Sequence, residues 1–345
     1  MAARAAIFGS SGPKLTEEER RFFADADPLG YILLARNVET PDQVKALVAD
    51  FRAVVGRDDA PVLIDQEGGR VQRLRPPHWR AAPPGAAFAA LAASDPERAV
   101  EAARLNARLV AAELFDLGID VDCWPVLDVP QADAHSVIGD RALGTAPEQV
   151  ARLGRAICDG LLDGGVLPVV KHVPGHGRAR SDSHEMLPVV TSPLAELEAV
   201  DFVPFKALAD MPWAMTAHVV YTAIDPDRPA TTSKKAIAEA IRTKIGFDGV
   251  LLSDDIGMKA LSGGLRDKAE AVLAAGCDIV LHCSGVLDEM REVAAGTGLL
   301  GGPQDRRLAR ARACKRRPQA FDAMAGVRRL DALLADRRER ACWAT

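Results

Sequence analysis

The chain has 345 residues, 48% of them hydrophobic, which is enough to bury a core in one large domain or two ordinary ones. Its net charge of -5 and pI of about 5.9 give no global positive field, so we expect no nucleic-acid partner. No stretch reaches the ~18 apolar residues of a membrane span, and the first ten residues do not form a signal peptide. These features indicate a globular cytoplasmic protein without a membrane partner.

Short apolar runs typical of strands alternate with longer amphipathic runs typical of helices along the chain. The clearest helix patterns cover residues 16–26, 41–55 and 96–117. Thr16 and Glu19 form a capping box, and Thr40 is a candidate N-cap before Pro41. The eight predicted strands are residues 5–8, 30–35, 61–65, 119–128 (broken by Pro125), 166–172, 213–218, 249–254 and 278–283.

Eight βα repeats predict a (β/α)8 TIM-type barrel, as a single catalytic domain over residues 1–345 with a C-terminal helix at 318–340 packed outside it. A doubly wound open sheet is the alternative fold. It is disfavoured because Gly9-Ser10-Ser11-Gly12, after the first strand, lacks the third glycine of a dinucleotide-binding fingerprint. The basic run at 306–317 is interpreted as a solvated helix face rather than a site for an anionic partner.

Six of the eight predicted strands end in ionisable residues. These are Asp65, Asp128, Lys171 with His172, His218, Asp254 and His282. Buried charges are costly without partners, whereas barrel chemistry takes place at the carboxyl ends of the strands. We therefore interpret these residues as a rim of titratable groups around the barrel mouth.

The segment after the fifth predicted strand concentrates polar chemistry in a Gly/Pro-containing loop. It reads Lys171-His172-Val173-Pro174-Gly175-His176-Gly177, followed by Asp182-Ser183-His184 and closed by Pro188. A loop of this kind with few apolar anchors is a candidate catalytic lid. Surface histidines without a role are the alternative interpretation.

Two further segments carry candidate groups. The seventh predicted strand ends in Ser253-Asp254-Asp255, where adjacent carboxylates point to opposite faces, so only one can face the barrel mouth as a nucleophile. Helix capping or salt bridging is the alternative for both acids. Acidic and amide groups at 65–67, beside a Gly-Gly turn and Arg73, suit recognition of sugar hydroxyls, and Arg141 lies between glycines in a second loop. An ordinary turn with a surface ion pair is the alternative there.

Taken together, the segments at 65–73, 171–184 and 253–258 resemble the β-N-acetylhexosaminidases of glycoside hydrolase family 3, over about residues 28–285. Short members of that family have the barrel alone and act in bacterial cell-wall recycling in the cytoplasm. Val173 stands where the family commonly has phenylalanine, a change that keeps an apolar side chain there.

The resemblance implies a role for each matching residue. Asp254 would be the nucleophile of a retaining mechanism, and His184 the general acid/base with Asp182 as its hydrogen-bonded partner. The sugar would be held by Asp65, Arg73, Arg141, Lys171 and His172. The implied reaction removes non-reducing terminal N-acetylglucosamine from peptidoglycan fragments, GlcNAc-anhydroMurNAc with or without peptide. We expect a monomer that uses no cofactor and no metal.

A histidine suits the acid/base role because its ordinary pKa near 6.5 lets it give and take protons near neutrality. Three other functions remain open from the sequence. A β-glycoside phosphorylase is one, because a neutral histidine repels phosphate less than a carboxylate does. A metal-dependent barrel hydrolase is another, because His172, His176, Asp182 and His184 are ligand types. The third is a sugar-binding barrel that has lost its chemistry.

Overall fold

The structure is a computed structural model that describes residues 2–132, 134–183 and 185–342, with side chains up to residue 335. Eight parallel strands form a closed barrel, which confirms the predicted (β/α)8 fold. The barrel strands are β1 (Arg4–Phe8), β2 (Pro28–Leu33), β3 (Val62–Ile64), β6 (Val121–Asp122), β7 (Leu167–Val173), β9 (Trp213–Thr216), β11 (Val250–Asp255) and β12 (Ile279–His282). Around the barrel they follow the order β1-β12-β11-β9-β7-β6-β3-β2.

Two short ladders lie outside the barrel, β4 (Gln66–Gly68) with antiparallel β5 (Val71–Gln72), and β8 (Val189–Val190) with parallel β10 (Val220–Tyr221). The helices are α1 (Glu17–Ala26), α2 (Pro41–Val55), α3 (Gly85–Ala92), α4 (Pro96–Asp116), α5 (Pro147–Asp163), α6 (Leu194–Glu196), α7 (Phe202–Ala207), α8 (Leu265–Ala275), α9 (Leu287–Ala295), α10 (Pro303–Ala313) and α11 (Ala323–Cys342). π-Helices cover Leu197–Asp201 and Ala236–Ile245. The predicted capping box at Thr16 and the N-cap at Thr40 are both present.

The barrel strands are buried on both faces. Along each strand, successive side chains point alternately into the barrel interior and towards the surrounding helices. In β11, for example, Val250 and Leu252 belong to the interior cluster, whereas Leu251 packs with the helices. Leu308 and Ala311 of α10 join the interior cluster and so close one end of the barrel. This alternation decides which strand-end residues face the barrel mouth.

Two predicted boundaries were wrong. The fourth strand, predicted over 119–128 with a break at Pro125, is regular only at Val121–Asp122. Pairing with β7 resumes after the proline, where Leu127 N donates to Lys171 O (2.7 Å). Helix α11 begins at Ala323 rather than at residue 318. Asp322 precedes it and caps its first turn, because its Oδ1 accepts a hydrogen bond from Ala325 N (2.9 Å). The helix packs against α4, and Arg98 Nε donates to Leu333 O (2.9 Å). That residues 1–345 form one catalytic domain stays a prediction.

The basic run of α10 pairs with carboxylates of the barrel. Its ion pairs are Arg307 with Asp248 and Asp278, Arg310 with Asp248, Arg312 with Asp59, Lys315 with Asp120, and Arg316 with Asp163. This run therefore fixes the helix to the barrel. In the part of the chain with coordinates, no helix is both long and apolar enough to cross a membrane.

The loop after β7 is anchored in its first half. Gln131 N donates to Gly177 O (3.0 Å), His135 N donates to Ala179 O (2.8 Å), and the buried Tyr221 hydroxyl donates to Gly175 O (2.7 Å). Residues 171–177 are buried, and exposure begins only in the second half, where Met186 is 58% exposed. The expectation of few anchors was therefore wrong for the first half of the loop.

Gly177 allows this close packing, because a Cβ there would lie 2.1 Å from Val129 O and 2.3 Å from Val129 C. We predict that Gly177→Ala lowers the free energy of unfolding by about 1–3 kcal/mol, since backbone on both sides must shift. Gly298→Ala is the matched control, because a Cβ at Gly298 meets nothing within 4 Å. Urea denaturation of both variants checks this, and equal stabilities would contradict it.

Candidate active site

A cavity of about 330 Å³ opens at the carboxyl ends of the barrel strands. It is lined by Asp65, Arg73, Arg141, Lys171, His172, Asp182 and Asp254, together with Glu67, Asp255 and apolar residues such as Met215 and Met258. Every predicted site residue that the structure describes therefore lies on one cavity. His184 is outside the described residues. A larger cleft of about 780 Å³ between α1 and α9, at the start of β1, contains none of these groups.

Five charged side chains form a continuous ion-pair cluster on one side of this cavity. Lys171 Nζ lies 2.8 Å from Asp65 Oδ1 and 2.7 Å from Glu67 Oε1. Arg73 Nη2 donates to Asp65 Oδ2 (3.1 Å), and Arg141 donates through Nε and Nη2 to the two oxygens of Glu67, each at 2.8 Å. Paired in this way, the charges tolerate burial that would otherwise neutralise them.

The pKa directions reflect this pairing. Burial alone would raise the pKa of Asp65, but Lys171 and Arg73 hold it well below its ordinary value. For Glu67, burial is likewise outweighed by Arg141 and Lys171, which bring the pKa to about 2. Both acids are therefore ionised near neutrality, and act as fixed hydrogen-bond acceptors.

His172 is oriented by a buried carboxylate at the end of the fourth strand pattern. Its Nδ1 lies 2.7 Å from Asp128 Oδ2, and Asp128 Oδ1 accepts the backbone N–H of His176 at 2.6 Å. Burial raises the pKa of Asp128, but the two histidines lower it to about 2, so the carboxylate is an acceptor only. Nδ1 of His172 must then carry a proton, and Nε2 is the atom left for a ligand.

His176 does not line the cavity. It is 4% exposed, Nε2 lies 3.3 Å from Ser183 Oγ, and burial lowers its pKa to about 4 although Asp128 opposes this. A neutral, buried imidazole of this kind holds the loop after β7 in place. Ser183 O also accepts from Ala260 N (3.3 Å), which brings the segment of Asp182 to the loop after β11.

Asp254 is the penultimate residue of β11. It lies on the same face of the strand as Val250 and Leu252, and its side chain therefore faces the cavity. Its Oδ1 accepts from Asp255 N at 2.8 Å. The carboxylate of Asp255 turns instead to backbone, and accepts from Gly257 N (2.9 Å) and Cys283 N (3.2 Å). Asp254 is thus the acid of this pair whose carboxylate stays available to a ligand.

The predicted rim of titratable groups was wrong for three of its members. Asp128, His218 and His282 have no exposed surface and lie behind the cavity wall. Each is paired: Asp128 with His172, His218 with Thr231, and His282 with Ser284. Because each has at least one hydrogen-bond partner, the cost of burial that favoured a rim is reduced.

The sequence pointed to two residues that support the site without predicting their contacts. Glu67 stands inside a motif that was recognised, but its bidentate contact to Arg141, 74 positions away, has no local signature. Asp128 was placed at a strand end, and its contact to His172 spans 44 positions. Within residues 2–132, 134–183 and 185–342, no group of three or more His, Cys, Asp or Glu side chains is arranged to hold a metal ion.

We predict that Glu67→Gln lowers the free energy of unfolding at pH 7 by about 3–5 kcal/mol, because Lys171 and Arg141 lose a buried charge partner. The pKa of Glu67 is lowered from 4.5 to about 2. The contribution of Glu67 to the free energy of unfolding is therefore complete above pH 4.5 and lost as the pH falls towards 2. Over that window the free energy of unfolding of the variant should fall less steeply than that of the wild type. Urea unfolding between pH 7 and pH 3 measures both effects. Glu101→Gln, which breaks an exposed pair with Arg329, is the control, and equal pH slopes for the two variants would contradict the prediction.

The model of the Glycosyl hydrolase family 3 N terminal domain matches residues 6–299. A β-hexosaminidase of Alkalilimnicola ehrlichii is 41% identical over 282 residues, which cover 81% of this chain and 80% of that protein. A crystal structure of NagZ from Neisseria gonorrhoeae in complex with N-trifluoroacetyl-D-glucosamine has a TM-score of 0.84 and 34% identity, with 97% of each chain covered. The chain therefore belongs to glycosyl hydrolase family 3 and is a glycoside hydrolase of the β-N-acetylhexosaminidase type.

Proposed function

We propose that this protein is a retaining, exo-acting β-N-acetylglucosaminidase that removes non-reducing terminal N-acetylglucosamine from peptidoglycan fragments. The observation that carries the proposal is the convergence of Asp254, Asp182 and the five sugar-binding candidates on one cavity. The N-acylated glucosamine bound to the related structure supports the identity of the sugar.

The ion-pair cluster suits the recognition of a hexose. Lys171 uses two of its three N–H groups on Asp65 and Glu67, which leaves one for a hydroxyl. Within the described residues, the buried Nε of Arg73 has no acceptor. A sugar hydroxyl at this wall would therefore meet donors and carboxylate acceptors whose positions are already fixed.

In the proposed first step, a carboxylate oxygen of Asp254 attacks the anomeric carbon and forms a glycosyl ester. The glycosidic C–O bond breaks as His184 protonates the departing oxygen, and Asp182 stabilises the imidazolium. In the second step, His184 takes a proton from water, and the water oxygen displaces Asp254 from the anomeric carbon. The configuration at that carbon is retained because it is inverted twice.

The aglycone we propose is anhydro-N-acetylmuramic acid, with or without its peptide, and the compartment is the cytoplasm. Support comes from the resemblance to short barrel-only family members and from the similarity to NagZ over 97% of both chains. We propose that the chain acts as a monomer, without cofactor or metal.

Incubation with muropeptides and mass spectrometry of the products tests the activity. We expect free N-acetylglucosamine from the wild type, and a loss of more than about 10³-fold in rate for Asp254→Asn, because the nucleophile is removed. Asp267→Asn, an exposed acid on α8, is the matched control and should retain full activity. Full activity of Asp254→Asn would contradict the mechanism, and a sugar 1-phosphate in phosphate buffer would identify a phosphorylase instead.

Replacement of the acid/base should have a different signature. We predict that His184→Ala lowers turnover of an unactivated disaccharide by about 10²–10⁴ while sugar binding is nearly unchanged. Turnover of a substrate whose leaving group needs no proton should be largely restored in the bond-breaking step. Steady-state kinetics on both substrates measure this, with exposed His78→Ala as control. Equal losses on the two substrates would exclude proton donation by His184.

A further inference from the structure

We propose that His218 is a positioning residue for the nucleophile, which it holds in register through the backbone of Asp255. This inference rests on the proposed role of Asp254. His218 follows β9, has no exposed surface and does not line the cavity, so it does not contact the sugar. Its Nε2 lies 3.0 Å from the carbonyl oxygen of Asp255, the residue after the nucleophile.

The hydrogen-bond directions around His218 follow from the chemistry of its partners. A carbonyl oxygen can only accept, so Nε2 carries a proton and donates to Asp255 O. Burial lowers the pKa of His218, although Asp254 and the Asp255 backbone oppose this, and the ring is therefore neutral near pH 7. Nδ1 must then accept. The Thr231 hydroxyl at 2.7 Å is its donor, although the same hydroxyl also lies 3.1 Å from Ala217 O, the longer of the two contacts.

This chain of donors extends one step further. The hydroxyls of Thr216 and Thr231 lie 2.8 Å apart, and because Thr231 gives its proton to His218, Thr216 is the donor to Thr231. All three side chains have no exposed surface. A single tautomer of His218 is thus selected, with its N–H directed at the nucleophile strand.

Asp255 needs such an anchor because the barrel ladder is irregular where it stands. The register between β11 and β12 shifts between Leu252 and Asp255. The side chains of Ser253 and Asp255 accept hydrogen bonds there, from Leu281 N at 2.9 Å and from Cys283 N at 3.2 Å.

Two hydrogen bonds fix Asp255: its carboxylate accepts from Cys283 N, and its carbonyl oxygen accepts from His218 Nε2. Its N–H is thereby fixed, and this N–H donates to Asp254 Oδ1 at 2.8 Å. The contact selects the rotamer of the Asp254 carboxylate. Loss of the His218 contact should therefore misplace the attacking oxygen without altering the groups that bind the sugar.

The test compares two substitutions of His218. His218→Leu removes the donor, and we expect kcat on nitrophenyl N-acetylglucosaminide to fall by about 10- to 100-fold. The Kd for free N-acetylglucosamine, measured by calorimetry, should stay unchanged. His218→Gln keeps a side-chain N–H in place of Nε2 and should recover most of the lost kcat. A merely structural role would change Tm and Kd together with kcat, and would not distinguish Gln from Leu by function.

A second pair keeps the test decisive if His218→Leu does not fold. Thr231→Val removes the hydroxyl that selects the tautomer. Thr297→Val removes another buried hydroxyl, just after the end of α9 and not among the residues that line the cavity. We expect a lower kcat for Thr231→Val alone, and equal kcat values for this pair would overturn the proposal. So would a full kcat in a folded His218→Leu enzyme, or a Kd that weakens in proportion to kcat. An inactive Asp254→Asn beside a fully active His218→Leu would overturn this inference only, whereas a fully active Asp254→Asn would overturn the proposed function as well.

Discussion

The contact of Lys171 with both Asp65 and Glu67 is the interaction on which the cavity wall depends. An ammonium buried to this degree costs several kcal/mol in lost hydration, and two carboxylates at 2.7–2.8 Å are needed to offset that cost. Glu67 in turn requires Arg141, which the Gly139–Arg141 turn delivers from the other side. Because each of Asp65, Glu67 and Lys171 pairs with two partners, the strand ends and the two loops form a single cooperative unit. This unit holds hydrogen-bond donors and acceptors in fixed positions for a sugar.

Histidines do three different tasks in this barrel, and their partners decide which. His172 faces an ionised Asp128, so its protonated nitrogen points inward and the other nitrogen faces the cavity. His218 faces a carbonyl and a hydroxyl, which direct its proton to the backbone, while burial keeps the ring neutral. His176 is buried, its Nε2 lies 3.3 Å from the Ser183 hydroxyl, and it stabilises the loop after β7. Identical side chains therefore differ in hydrogen-bond direction and in role because their neighbours differ.

The sequence was informative about the barrel because its signals are local. Apolar runs of strand length gave the barrel strands to within two residues except near Pro125, and the caps of α1 and α2 follow from Thr16 and Thr40. The inward or outward direction of a strand-end residue was harder to predict. Both faces of a barrel strand are apolar, so the alternation that would separate Asp254 from His218 is invisible in the sequence. Contacts across the mouth, such as Glu67 with Arg141, depend on closure of the barrel and have no local pattern.

The order Ser253-Asp254-Asp255 acquires a physical reason from this geometry. The register between β11 and β12 shifts between Leu252 and Asp255. Residues 253 and 255 share one face of the strand, and their side chains accept hydrogen bonds from Leu281 N and Cys283 N, which would otherwise be costly to bury. Residue 254 points the other way, into the cavity. The strand can therefore bend at the barrel mouth and present one carboxylate to a ligand, because the polar residues on either side keep it attached to the sheet.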